Sequence, residues 1–370
     1  MAFVLPQSVH DIPTVQQLVQ IADQTVAGLQ KPKERIALLL RRHMISAVTQ
    51  EDVGVPNVLV LGSSGGGKTH LLRTILSACP IIWAEINVTE YSDVGYMGRD
   101  LTTMYSGLVT EHWRGQKGKD EVFWTQREAV ANGERFGVML LDEFDKIRMT
   151  GDTKPGRRKS NKGETGAERQ VGRVLQAELL KLVEGTEIEV QRWQGDRGFT
   201  FRTHRVLHIA MGAFEGLPRL MNEIDNETYN EEHEPTATEL QNLHMDVEPY
   251  DIQRYGFMQE LVGRFSTIVP LPSLDQEAMA RILNERIIPD YEKQMALEEI
   301  TLDIDDSARS WITGQSARSN IGARSIVPLI EELTAETWPH AYPGCTVAIT
   351  AESVHRRTSV LIEPAQAVAM

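Results

Sequence analysis

A chain of 370 residues, 41% hydrophobic and 24% charged, has the composition of a globular protein with room for two domains. No apolar run reaches the ~20 residues that span a bilayer, and the N-terminal stretch lacks the basic and apolar regions of a secretory signal. With 38 basic against 52 acidic side chains the net charge is −14, which argues against a broad electrostatic grip on DNA or anionic lipid. The two distant cysteines, Cys79 and Cys345, exclude a disulfide framework and a CxxC metal site and fit a reducing cytoplasm.

Residues 11 to 50 read as helical with a break at Gly28 and Pro32, and Ile36 to Ile45 is apolar on one face. Next, "NVLVLGSSGGGKTHLLRTILSA" (Asn57 to Ala78) runs an apolar strand into Gly62-Ser63-Ser64-Gly65-Gly66-Gly67-Lys68-Thr69 and then into an amphipathic helix. This is the GxxxxGK[ST] Walker A pattern in its required strand–loop–helix context. The glycines let backbone N–H groups turn toward phosphates, and the start of the helix adds positive potential. Lys68 supplies a mobile cation for the β- and γ-phosphate oxygens of ATP, and Thr69 offers a hydroxyl to Mg2+; His70, directly after, is grouped with the nucleotide-contacting residues.

A second buried strand, "PIIWAEI", follows, and then Gly95-Tyr96-Met97-Gly98. Glycines on both sides push an aromatic–aliphatic pair into a short loop, and the residues alone leave open whether Tyr96 points outward or folds into the core. Gly137 to Leu141 is a third apolar strand ending in "DEFDKI", a Walker B pattern at the strand edge where ligands bind in open α/β sheets. Asp142 is placed to hold the Mg2+ shell, and Glu143 to orient and deprotonate an attacking water. Residues 150 to 169 read as an aperiodic basic loop with five Lys/Arg between Lys154 and Lys162. A helix ending at Gly185, a β-hairpin turning at Gly195 to Gly198, a fourth strand in "RVLHIAMGAF" and a fifth in "LVGRFSTIVPL" come next. Between the last two, residues 222 to 251 are acidic and read as a long loop with a short helix.

Beyond Pro272 the pattern changes. A helix from Asp275 to about Met295, a strand in "EITLDI", helices from Asp306 and from Gly322 to Trp338, and strand-like runs in "CTVAIT" and "TSVLIEP" read as a separate small α/β unit. The expected architecture is an α/β P-loop fold, a five-stranded parallel sheet with flanking helices over residues 1–270. A small C-terminal α/β lid domain would occupy 271–364 and a tail 365–370.

In order and spacing, "VGYMGRDL", "LLDEFDKI", "LLKLVEGT", "MGAFEGL", "ELVGRF" and "NIGARSIV" resemble the ClpX/HslU branch of the AAA+ unfoldases. The resemblance runs from about Ile12 to Pro364. It implies that Val26 and Ala27 in "QTVAGLQ" lie against the adenine, with Leu29 where the family usually has Gln. It implies a substrate-gripping pore loop at Tyr96 and Met97, facing outward, and a second pore loop around Arg157 to Lys162. It assigns Arg264 to the arginine finger, which reaches a neighbouring subunit's ATP, and Arg324 to the sensor-2 arginine, which feels the γ-phosphate within its own subunit. Several family features are missing. The zinc-binding domain of ClpX and the intermediate domain of HslU are absent, and Met211-Gly212 stands where sensor 1 presents a polar side chain. The peptidase-docking Ile-Gly-Phe does not occur; that region instead carries ten carboxylates between Asn222 and Asp251. Docking to a ClpP-type peptidase is therefore not expected, and a dedicated protease or adaptor would have to read the acidic segment or the tail.

The favoured reading is an ATP-driven protein unfoldase or remodeller, a homo-oligomeric and specifically hexameric ring in the cytoplasm that threads polypeptide through a central pore. The alternative is a nucleic-acid-associated AAA+ switch or motor using the basic loop 154–162. Net charge and the aromatic–aliphatic loop argue against it.

Overall fold

The computed structural model of the chain describes residues 5–51, 54–91, 101–109, 112–114, 121–149, 166–191, 198–221, 244–319 and 321–362. Tyr96 and Met97, the basic loop 154–162, the hairpin tip at Gly195, most of the acidic segment and the tail 365–370 lie outside them. The chain divides into two compact units. The first comprises Met1–Val26, Gln30–Gly62 and Lys68–Leu271; the second comprises Ala27–Leu29, Ser63–Gly67 and Pro272–Met370.

The first unit is built on a parallel sheet. Its strands are β1 (Val58–Leu61), β2 (Ile82–Asn87), β5 (Gly137–Asp142), β8 (Leu207–Gly212) and β9 (Thr267–Pro270), in the order β2-β5-β8-β1-β9. Two short antiparallel pairs complete the strands of this unit, β3 (His112–Arg114) with β4 (Glu121–Phe123) and β6 (Glu187–Val190) with β7 (Phe199–Arg202). Strands covered by helices on both faces are mostly apolar, and β1 and β8 are buried at every position, His208 of β8 included. The core gathers Leu59, Leu61, Met139, Leu141 and Ala210 from the sheet with Leu108, Phe136, Leu179, Phe214 and Phe265 from the connections.

The parallel arrangement matters for function because all five strands end on one edge. Register pairs Asn87 with Asp142, and Leu61 with both Gly212 and Pro270. The order of the strands reverses at β1, which has β8 on one side and β9 on the other, so the carboxyl ends of β1 and β8 flank a crevice of the kind that binds ligands in such sheets.

Local structure departs from the sequence reading in four places. Pro32 does not break the N-terminal helices: Gln30–Thr49 is one helix with Pro32 in its first turn, where a missing N–H is tolerated. The break at Gly28 is where the sequence places it, and it extends to Leu29; both are left-handed, with φ of 62° and 59°. A helix at Gln126–Phe136, capped by Thr125 and Glu128, and another at Ala351–Arg356 had no counterpart in the sequence reading. The expected helix over 275–295 is interrupted at Leu283–Ile287 by a π turn just before Pro289, which has no N–H to donate back.

The second unit contains the helices Gln276–Ile282, Ile288–Ala296, Asp306–Arg318 and Ile326–Thr334. Its sheet runs β10 (Thr301–Ile304), β11 (Thr346–Ile349), β12 (Val360–Ile362), the first pair parallel and the second antiparallel. Among the described residues no helix is long and apolar enough to cross a membrane.

Candidate functional site

The phosphate-loop motif is placed by β1 and the helix Lys68–Ala78. Gly65 and Gly67 adopt positive φ of 71° and 83°, which a side chain would strain. At Gly65 the space is also closed, since a Cβ there would lie 1.9 Å from the Ile321 carbonyl oxygen. The Gly66 N–H donates to the Ser63 carbonyl at 3.1 Å, and Arg324 donates to the Ser64 hydroxyl at 3.2 Å. The Arg324 guanidinium therefore stands on the loop itself.

Lys68 folds back to donate to the Gly62 carbonyl at 2.7 Å. The Thr69 hydroxyl donates to the Met211 sulfur at 3.8 Å, and His70 Nε2 meets the Thr25 carbonyl at 3.1 Å. Met211 is fully buried. Gly212 has no room for a side chain, because a Cβ would come within 2.6 Å of Asp145 Oδ1 and 2.9 Å of the Phe214 ring. Packing at the end of β8 thus fills the place where a polar sensor would stand.

At the carboxyl end of β5, Asp142 is half-buried and accepts the Glu143 N–H at 2.7 Å. Its carboxyl is pushed above the usual range, chiefly by desolvation and then by the charges of Glu85 and Glu143; the Glu143 N–H and Lys68 oppose this. Glu143 has φ 54°, ψ 32°, a left-handed conformation that is uncommon for a residue with a side chain. The strain goes with a specific placement: Asn87, the register partner of Asp142, donates its amide to Glu143 Oε2 at 2.9 Å. Asn87 is itself oriented by Thr89, whose N–H and hydroxyl donate to its side-chain oxygen at 3.0 and 2.7 Å. On the adjoining surface Arg73 holds Glu85 in a two-pronged pair at 2.6 and 3.0 Å.

Among the described residues, no group of three or more His, Cys, Asp and Glu could hold a metal alone. Mg2+ in phosphate sites takes one or two protein ligands and completes its shell with phosphate and water. The Asp142 carboxylate at the end of β5 and the Thr69 hydroxyl at the start of the helix Lys68–Ala78 are oxygen donors of the kind that ion takes, so the two fit it.

Arg264, at the end of the helix Gln259–Arg264, is held within the chain by Glu184, with nitrogen–oxygen distances of 2.6 and 3.1 Å. Val26 is buried with its N–H on the Ala22 carbonyl. Three contributors escaped the sequence reading: Asn87, Thr89 and Glu184. A signal existed for the first, a polar residue ending a buried strand next to the Walker B strand. Nothing in the spacing marks Glu184 as the partner of an arginine 80 residues on.

The sequence pattern of the AAA domain (Cdc48 subfamily) matches residues 55–268, and that of the C-terminal D2-small domain of ClpB matches residues 274–336. The first match covers more than half of the chain, so the protein belongs to the AAA family of P-loop ATPases, and its reaction is ATP hydrolysis. Within that family it is similar over most of its length to proteins named ClpX. The "ATP-dependent Clp protease ATP-binding subunit ClpX" of Treponema denticola is 28% identical over 340 residues, covering 87% of this chain and 76% of the relative. "ClpX 3" of Methylococcus capsulatus is 26% identical over 352 residues, with 87% and 75% covered. The corresponding protein of Azotobacter vinelandii is 26% identical over 338 residues, with 85% and 71% covered.

Proposed function

We propose that the protein is an ATP-dependent unfoldase or remodeller that works in the cytoplasm as a hexameric ring and draws polypeptide through a central pore. The observation that carries the catalytic part is the Asn87–Glu143 pair beside Asp142: a carboxylate base held on a neutral amide, one residue beyond a metal-binding position. That is a hydrolase site with a resting setting.

In this reading the loop Gly62–Gly67 and Lys68 cradle the β- and γ-phosphates. Thr69 and Asp142 hold Mg2+, which when bound neutralises charge on those oxygens. Glu143 leaves Asn87, turns to the attacking water and takes its proton as the new oxygen–phosphorus bond forms. The bond from the γ-phosphorus to its bridging oxygen breaks, and ADP departs with that oxygen. Arg324 senses the γ-phosphate from the same chain. Arg264 leaves Glu184 to neutralise transition-state charge in a neighbour, so assembly and hydrolysis are linked. The large domain, 1–270, carries this machinery and the small domain, 271–364, moves with the cycle. Tyr96 and Met97 grip the substrate. With its acidic 222–251 segment, the protein acts alone or with a dedicated partner; a ClpP-type peptidase is not that partner.

The relatives' kinship to a Clp protease subunit supports a polypeptide substrate. The test is ATPase activity with an unstructured polypeptide or with DNA. Stimulation by polypeptide, insensitive to moderate salt, is expected; stimulation by DNA that fades steeply with salt would replace this reading with a nucleic-acid motor.

A further inference from the structure

Lys33 is the one lysine among the largest fully buried side chains, 1% exposed. Lysine is seldom buried, and when it is, its ammonium is paired and hydrogen-bonded. Its position is informative. The ammonium donates to Asp23 at 2.6 Å and to the Val26 carbonyl at 2.7 Å, across the turn that joins the helices Val15–Asp23 and Gln30–Thr49.

That turn is held from both sides. The Thr25 and Val26 N–H groups both donate to the Ala22 carbonyl, at 3.2 and 2.8 Å. The Thr25 carbonyl takes His70, in the first turn of the helix that follows the phosphate loop. The Val26 N–H is therefore spent on Ala22, and its carbonyl already accepts from Lys33, which fixes its direction. The next peptide along the chain is that of Ala27, which enters none of the described hydrogen bonds. Just beyond it Gly28 turns left-handed. An adenine edge needs one donor and one acceptor side by side, which a single residue's N–H and C=O supply; guanine reverses that pattern and would leave both unpaired.

We infer that Lys33 is a positioning residue for nucleotide selectivity: by fixing the Val26 carbonyl, it presents the Ala27 backbone to the adenine edge. This rests on the reading that ATP binds at the Gly62–Thr69 loop with its base toward residues 26 and 27.

The test is equilibrium binding of ADP, GDP and inorganic tripolyphosphate to the full chain. Wild type should prefer ADP to GDP. In Lys33→Met, ADP should weaken about tenfold, the scale of one net hydrogen bond, and the ADP/GDP preference should fall by the same factor. Tripolyphosphate, which has no base, should bind as before. A variant that loses ADP and tripolyphosphate together, or neither, overturns the inference. Asp23→Asn, at a carboxylate 43% exposed, guards against a folding defect in Lys33→Met. It should show the same pattern at a few-fold, and an unchanged ADP/GDP ratio there also overturns the inference. Wild type that binds neither ADP nor tripolyphosphate, or whose binding survives Lys68→Ala, would instead sink the underlying nucleotide reading.

Discussion

Strand β8 begins beside one polar cluster and ends beside another, and the two are opposite in kind. Near its start, buried His208 hydrogen-bonds the Tyr105 hydroxyl at 2.8 Å, and His43 adds a second buried imidazole. Burial pushes His208 down to about 3, with the His43 charge adding to the effect. It pushes His43 down to about 4 against the hydrogen bonds to the backbone of Phe136 and Gly137, and it raises the Tyr105 phenol. Every member is most stable uncharged. At the other end Asp142, Glu143 and Glu85 concentrate negative charge at a half-open edge, and Asp142 is raised by desolvation and by its acidic neighbours. The buried cluster is neutral and enclosed, although His43 Nε2 and His208 Nδ1 find no hydrogen-bond partner in it, and it belongs to the fold. The charged edge is only partly balanced, with Arg73 on Glu85 and Lys68 acting on Asp142, and in the proposed function a cation and a phosphate complete it.

In the proposed ring, the largest effect expected at the charged edge would come from Arg264, supplied across a subunit boundary. Arg264→Ala should lower ATP hydrolysis by about 10³-fold or more, the scale of an arginine finger acting in trans. Mixing it with Lys68→Ala chains should restore part of the activity, since one sound interface can form from two defective chains. Steady-state ATPase of mixtures measures this, and mixtures as dead as their components would overturn the action of Arg264 in trans. Glu143→Gln should slow turnover by about 10²- to 10⁴-fold while nucleotide still binds, because only the proton acceptor is lost. Near-normal turnover would remove Glu143 from the role of base.

A smaller effect isolates the resting setting. Asn87→Ala removes the amide that holds Glu143, so basal ATPase should rise about fivefold, the scale of one hydrogen bond, and respond less to polypeptide. A fall in basal rate with unchanged stimulation would mean that Asn87 orients Glu143 for attack.

How far these parts could be read from sequence follows from range. The apolar strands, the glycines at 65 and 67 and the acids ending β5 are local patterns, and each carries its own chemistry. Asn87 and Glu143 meet only because β2 and β5 pair in one register, and Glu143 makes that contact from a left-handed backbone. Lys33 looks like one more charge on a helix of many until Asp23 and Val26 surround it. The Tyr105–His208 contact joins residues 103 apart, and the strand that carries His208 reads simply as apolar. Gln126–Phe136 was invisible as a helix because it is mostly polar, and its signal lay in the capping pair Thr125 and Glu128.

The smallest effect is on stability, and its sign separates the two clusters. His43 and His208 have folded values of about 4 and 3, below the ordinary histidine value of about 6.5. Above pH 6.5 neither state binds these protons, and stability is independent of them. From 6.5 down toward 4 the unfolded chain takes up protons that the folded chain refuses, so stability falls, by up to about 1.4 kcal/mol per pH unit for each imidazole. Asp142 works the other way: its raised carboxyl destabilises the fold at neutral pH, and protonation on acidification relieves it. Carboxylates held low by hydrogen bonds, such as Asp11, Glu128 and Asp305, lose their contribution only at more acidic pH, which leaves the interval from 6.5 to 5 to the histidines. Urea unfolding across that interval should show a slope that shrinks by about half in His43→Gln and persists in Asp142→Asn, which should also be more stable than wild type at pH 7. A slope unchanged by His43→Gln would mean that the imidazoles accept protons in place, and that the cluster at the start of β8 is open to water like the one at its end.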